Sequence, residues 1–271
     1  MKVVMPVLVL LVAIAVAATA AWFYVAWSFR GGAADGPMEQ RALPPFTRIV
    51  IEGYADVTLV QGDAESVSYD AQSRPQTRGR ADVKDGTLTI ANDASRSWWS
   101  NFFGGGGRPA RVTVTFRELE AIGAAGAVKL RAERLTSQRL LVSASGATSL
   151  KIAGLETREL AVNGSGAMKI ELAGRATEQR VSISGAGDYR AADLVSEDAR
   201  VSVSGAGRVV IQAEKTLKIG LSGAGSVEYL GNPKVTQSIS GAGRVKRRDA
   251  AETGRYVAYA SATSVSPPSG P

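Results

Sequence analysis

The sequence predicts an all-β fold, a β-solenoid or β-helix-like stack of coils of about 20 residues preceded by an N-terminal transmembrane or signal helix. Three observations predict it. A small-residue glycine phrase recurs at near-constant spacing, apolar residues alternate on both sides of each phrase, and one long uncharged run stands at the start of the chain.

Residues 3–29, VVMPVLVLLVAIAVAATAAWFYVAWSF, carry no charge, and about 20 such residues span a bilayer core as a helix. Ala18, Thr19 and Ala20 form a small-residue cleavage site of the signal-peptidase kind, but the run continues past it through Trp22, Tyr24 and Trp27. Residues 1–30 therefore read as a retained membrane anchor, with secretion after signal cleavage as the alternative. Lys2 and the amino terminus favour a cytoplasmic N-terminus, and the aromatic cluster fits the opposite interface. The expected location is the inner membrane, with the domain in the periplasm or otherwise outside the cytoplasm. Residues 31–45 are small, polar and punctuated by proline, as a tether should be.

Next comes FTRIVIEGYADVTLVQGD, residues 46–63, followed by ESVSYDAQ, DGTLTIAND and ARVTVTFREL. Alternating apolar residues with Asp-Gly and Gly-Asp corners make these strands. EGYADVTL echoes SGAGDYRA further on, so this segment reads as a divergent first coil of the same stack.

The repeats are GAAGAVKL, SASGATSLKI, NGSGAMKIEL, SGAGDYRAADL, SGAGRVVIQA, SGAGSVEYL and SGAGRVKRR. The last glycine of each turn falls at Gly126, Gly146, Gly166, Gly187, Gly207, Gly225 and Gly243, at steps of 20, 20, 21, 20, 18 and 18 residues. Val201, Val203, Val209 and Ile211 show the period of two that marks strands on either side of a turn. Glycine accepts a positive φ and lets a neighbouring backbone approach, so the seven glycines are expected to stack in one line. A 20-residue unit cannot bury its own apolar face and must lie on its neighbours. The leucine-rich frame is missing, and only Asp188 follows a turn as a calcium-binding nonapeptide repeat requires. Strand direction is left open: an antiparallel meander or propeller with glycine hairpins has the same period.

The opening strand, DGTLTI, VTVTFREL, the run of SGAG turns, SVEYLGNPKV and the final SISGAGRV together resemble the DUF2807 family, described as the putative auto-transporter adhesin, head GIN domain. The resemblance covers residues 46–247, taken as one β-solenoid domain. It implies a β-helix-like bacterial protein of the surface or periplasm. Many relatives look like lipoproteins, whereas this chain has no cysteine to lipidate and must rely on its apolar N-terminus. Residues 248–271 read as a disordered polar tail, with nothing resembling an outer-membrane translocator.

Composition narrows the chemistry. There is no cysteine and no histidine, which removes thiolates, disulfides and the commonest general base and metal ligand. The net charge of +7 reads as a solvated surface, with no nucleic-acid partner expected. No Gly-Lys-Ser/Thr follows a Gly-Ala-Gly turn, so none is a phosphate loop. Asp188, Asp193, Glu197 and Asp198 have the scatter of solvated loop acids rather than of a glycosidase pair. Lys246, Arg247 and Arg248 read as end protection for the last coil. No catalytic residue, metal or cofactor is expected. In residues 95–110, Trp98, Trp99, Phe102 and Phe103 precede four glycines; this aromatic loop reads either as a cap on the open start of the stack or as a contact loop. The expected function is a membrane-anchored, non-catalytic binding or structural module of the bacterial cell envelope, adhesin-like, with an envelope protein or glycan as partner. The alternative is an extracytoplasmic polysaccharide-active β-helix enzyme.

Overall fold

The computed structural model describes residues 41–69, 80–91 and 110–248. The predicted anchor lies outside them. Thirteen strands are present among the described residues: β1 (Arg41–Ala42), β2 (Arg48–Gln61), β3 (Ser66–Tyr69), β4 (Arg80–Lys84), β5 (Thr87–Ala91), β6 (Ala110–Phe116), β7 (Ala121–Ala132), β8 (Leu135–Gly185), β9 (Asp188–Gly205), β10 (Arg208–Gly223), β11 (Ser226–Leu230), β12 (Lys234–Gly241) and β13 (Arg244–Arg247). β8 runs for 51 residues because its backbone keeps extended pairing while turning corners through successive coils. All strands join one sheet, coiled into a β-solenoid.

Every coil pairs with the next in parallel: β2 with β7, β7 with β8, β8 with β9, β9 with β10, and β10 with both β11 and β12. Parallel pairing excludes the meander and propeller alternatives. The alternation fits this pairing, since residues two apart enter the core and meet the same position one coil away. Ile49 pairs with Ile122 and Ile122 with Val142; Val181 pairs with Val201 and Val201 with Ile219. All six are buried in one continuous core. Each such side chain contributes roughly 1.5–3 kcal/mol of burial.

β2 is a coil, as EGYADVTL suggested, with Gly53 opposite Gly126. It is not the outermost one. β5 pairs with the first half of β2 and β6 with the second, placing Leu88 against Ile49 and Val112 against Val57. Antiparallel strands then finish this end: β4 on β5 through an Asp85–Gly86 hairpin turn with both residues at positive φ, β3 on β6, and β1 on β3. β1 thus draws Arg41 and Ala42, from the segment read as a tether, into the sheet.

The glycines form two columns. Gly53, Gly126, Gly146, Gly166, Gly185, Gly205, Gly223 and Gly241 all have φ between 79° and 124°. A β-carbon on Gly146, Gly166 or Gly205 would lie 2.8, 2.9 or 2.7 Å from the carbonyl oxygen of the glycine one coil before. Gly126, Gly146 and Gly166 of the predicted line belong here, while Gly187, Gly207, Gly225 and Gly243 lie two residues beyond it. The first glycine of Ser-Gly-Ala-Gly, not the last, takes the corner. The second column faces inward, where Gly207 and Gly225 sit against the side chain of Val203. Earlier coils put Ala55, Val128, Thr148 and Met168 at this inward position.

The last described coil carries polar residues at core positions. Gln237 stands at the position of Ile219, and Arg247 at that of Tyr229. Polar side chains at two core positions of an edge coil oppose the addition of another coil.

Candidate functional site

The glycine corner separates two flat faces. Before it, outward positions hold small hydroxyl residues: Ser182 pairs with Ser202, and Ser184, Ser204, Ser222 and Ser240 follow one another in register. The two rows nearest the corner are uncharged in these coils, while one row further back Arg180, Arg200 and Lys218 stand outward in register.

After the corner, outward positions are charged. The residue three beyond the corner glycine is Asp56, Lys129, Ser149, Lys169, Asp188, Arg208, Ser226 and Arg244 in successive coils. Two residues further stand Thr58, Arg131, Lys151, Glu171, Arg190, Val210, Glu228 and Lys246, of which only Thr58 and Val210 are uncharged. The acids on this face are held by neighbours: Arg131 meets Asp56 at 3.3 Å, Lys169 meets Glu171 at 2.8 Å and Arg190 meets Asp188 at 2.7 Å. The hydrogen bond from Lys169 holds the Glu171 carboxyl below the usual range, against a small opposing effect of burial. The bond to Asp188 raises Arg190 further above its ordinary value. Lys151 also acts on Glu171. Lys129, Arg208, Arg244 and Lys246 hold no such pair among the described residues, so the face carries a basic excess. A sequence signal was present in GAVK, GAMK, GAGR and GAGR, where a basic residue recurs three places past the corner.

The suspected acids do not converge. Asp188 is held by Arg190, Glu197 by Lys215 at 2.5 Å, and Asp198 accepts from Thr216 Oγ1 at 2.5 Å. Hydrogen bonding to Glu197 raises the pKa of Lys215. Among the described residues no group of three or more Asp or Glu stands where a metal ion would sit.

A polar groove of about 550 Å³ opens at the variable corner near the start of the stack, lined by Gln61, Arg117, Glu118, Glu120, Thr136, Arg139, Arg158 and Glu159 among others. Gln61 builds its floor: Nε2 donates to the carbonyls of Arg117 and Thr136 at 2.9 and 3.0 Å, and Oε1 accepts from the Thr136 amide at 2.8 Å. Arg139 is held by Glu159 at 3.2 Å, and Arg117 donates to the Asp63 carbonyl at 2.6 Å. Arg117, Arg139 and Glu159 are thus spent on one another or on neighbouring groups outside the groove.

Inside the stack, Gln179 donates to the Tyr189 hydroxyl, leaving Gln179 Oε1 without a partner. Burial raises the Tyr189 pKa, outweighing that hydrogen bond. The pair is sealed in the core with no access to a substrate. Trp98, Trp99, Phe102 and Phe103 lie outside the described residues. Their segment leaves β5 at Ala91 and rejoins β6 at Ala110, both in the layer outside β2.

No curated protein matches the chain. Solved structures share its fold. A putative adhesin from Bacteroides fragilis NCTC 9343 superposes with a TM-score of 0.70 at 21% identity, covering 79% of this chain and all of that one. A putative adhesin from Parabacteroides distasonis ATCC 8503 gives 0.57 at 23% identity, covering 78% and 95%. A structure from the same strain described as a putative lipid binding protein gives 0.53 at 18% identity, covering 78% and 96%. The glycine-cornered coils also fit a family profile over residues 45–233, and the chain therefore belongs to DUF2807, the putative auto-transporter adhesin, head GIN domain family.

Proposed function

We propose that this protein is a non-catalytic, adhesin-like binding module of the bacterial cell envelope, held at the inner membrane by residues 3–29 and presenting its solenoid outside the cytoplasm. The observation that carries the reading is the distribution of polar groups. They form repeating rows along two outer faces, while of the suspected acids Asp188 is tied to Arg190 on its own strand, and Glu197 and Asp198 are tied to the next coil. Repetition of one surface along a stack suits contact with an extended partner, whereas catalysis needs a few unlike groups converging on one point. The adhesin and lipid-binding descriptions of the structural neighbours agree with a binding role. The uncharged length of residues 3–29 supports an uncleaved anchor.

The experiment is fractionation of cells producing the full chain, followed by N-terminal sequencing and by retention of envelope extract on the purified protein. Recovery in the inner membrane with Met1 or Lys2 first, together with retention of envelope polymer or protein, supports the reading. A mature N-terminus at Ala21 removes the anchor, and the absence of retained material removes the binding role. The polysaccharide-active alternative would rest on the groove at Gln61, since Glu118, Glu120 and Glu159 meet there. Release of reducing ends from envelope polysaccharide, lost on Glu159→Gln, would establish it instead.

A further inference from the structure

We infer that the face following the glycine corner is a track for a linear acidic polysaccharide; this rests on the binding-module reading and names its ligand. Three features of the face carry it. Lys129, Arg208, Arg244 and Lys246 project outward without an ion pair among the described residues, and Lys151 projects beside Glu171. Their rows are straight because coils pair in parallel without a register shift at these positions: Lys129 opposes Ser149, and Arg208 opposes Ser226, which opposes Arg244. Coils rise by about 4.8 Å, so cations in one row recur at multiples of that distance, close to the length of one sugar unit in an extended chain. The rows between them are not barriers. Lys169 and Arg190 are half-exposed in their ion pairs, and a ligand carboxylate can take the place of Glu171 or Asp188.

Two observations select a polysaccharide over an anionic membrane. The exposed large apolar side chains among the described residues are Tyr54, Val60 and Ile239; Val60 alone continues the outward alternation of this face, and one valine is too little to insert into lipid. Across the corner, the serine row offers neutral hydroxyls to the hydroxyls of a sugar chain.

The test uses the full chain in nonionic detergent and fluorescent polygalacturonate, which carries one carboxylate per sugar. Two charge-matched variants are compared. One reverses the face (Lys129→Glu, Lys151→Glu, Arg208→Glu), and the other reverses the variable corner (Arg134→Glu, Arg158→Glu, Arg175→Glu). The expected result is binding that falls with salt, is absent for dextran, drops at least tenfold in the face variant and changes less than twofold in the corner variant. Equal losses in the two variants would reduce the effect to net charge and overturn the proposal. So would displacement of the polymer by phosphatidylglycerol micelles at lower charge concentration than by unlabelled polygalacturonate. If polygalacturonate does not bind but envelope extract is still retained, the track is wrong and the binding module stands; if neither is retained, both fall.

Discussion

Met168 occupies the space that a β-carbon on Gly164 would need, four residues away on the same coil. One coil on, the sizes are exchanged: Ile183 is large and Gly187 is small, and a β-carbon on Gly187 would lie 2.9 Å from Ile183 Cγ2 and 2.7 Å from Met168 Cε. The later coils keep the second arrangement, with Val203 and Gly207, then Leu221 and Gly225. The second glycine of the repeated phrase is thus set by the large residue four places before it.

This reciprocity predicts coupling. Gly164→Ile alone and Met168→Gly alone should each destabilise by about 3 kcal/mol, the first by overpacking and the second by a cavity. The double variant recreates the Ile183–Gly187 arrangement and should recover at least about 2 kcal/mol relative to the sum. Urea unfolding of the four proteins measures this, and additive losses would show that the two positions do not share one space.

The two glycine columns predict unequal costs at Gly205 and Gly207. Alanine at 205 meets both a φ of 124° and the Gly185 carbonyl at 2.7 Å, so it should cost about 3 kcal/mol or more. Alanine at 207 meets Val203 Cγ1 at 3.1 Å and Ile183 Cγ2 at 3.2 Å, side-chain atoms that can shift, and should cost about 1 kcal/mol. Thermal unfolding ranks the two; the reverse order would refute the assignment of the corner to the first glycine.

Tyr69 predicts an alkaline loss of stability. Burial pushes its pKa from 10.0 up to about 12, against the opposing pull of Arg41. Between these values the unfolded chain releases a proton that the folded chain keeps, so the tyrosine's contribution is complete below pH 10 and is lost as pH rises towards 12. Tyr69→Phe should lose less stability across that window than the parent protein. Because the Tyr69 hydroxyl has no hydrogen-bond partner among the described residues, the variant should also be at least as stable at pH 7, by up to about 1 kcal/mol. Chemical denaturation at pH 7, 10 and 11.5 checks both signs.

The final coil predicts an association switch. With Gln237 and Arg247 at core positions, the edge of β12 and β13 repels a further strand. Gln237→Val with Arg247→Leu restores the pattern of the interior coils and should turn a concentration-independent mass into a concentration-dependent one by light scattering. An unchanged mass would show that these two side chains do not guard the end.

By itself the sequence determined the repeat, its step and the inward rows, because a 20-residue unit with a period of two must bury its face on its neighbours, but it did not determine the direction in which neighbouring strands pair. Val201, Val203, Val209 and Ile211 were legible as core for that reason. It did not determine which glycine of Ser-Gly-Ala-Gly takes the corner, since both are glycine and the choice lies in contacts with another coil, through a carbonyl in one case and Val203 in the other. Nor did it show that β5 and β6 pass outside β2: that order depends on which edge is free when the chain returns, a matter of tertiary pairing. The basic face belongs to the same class. Lys129 and Arg208 stand far apart in the chain and read as scattered surface charge until parallel stacking sets them in one row.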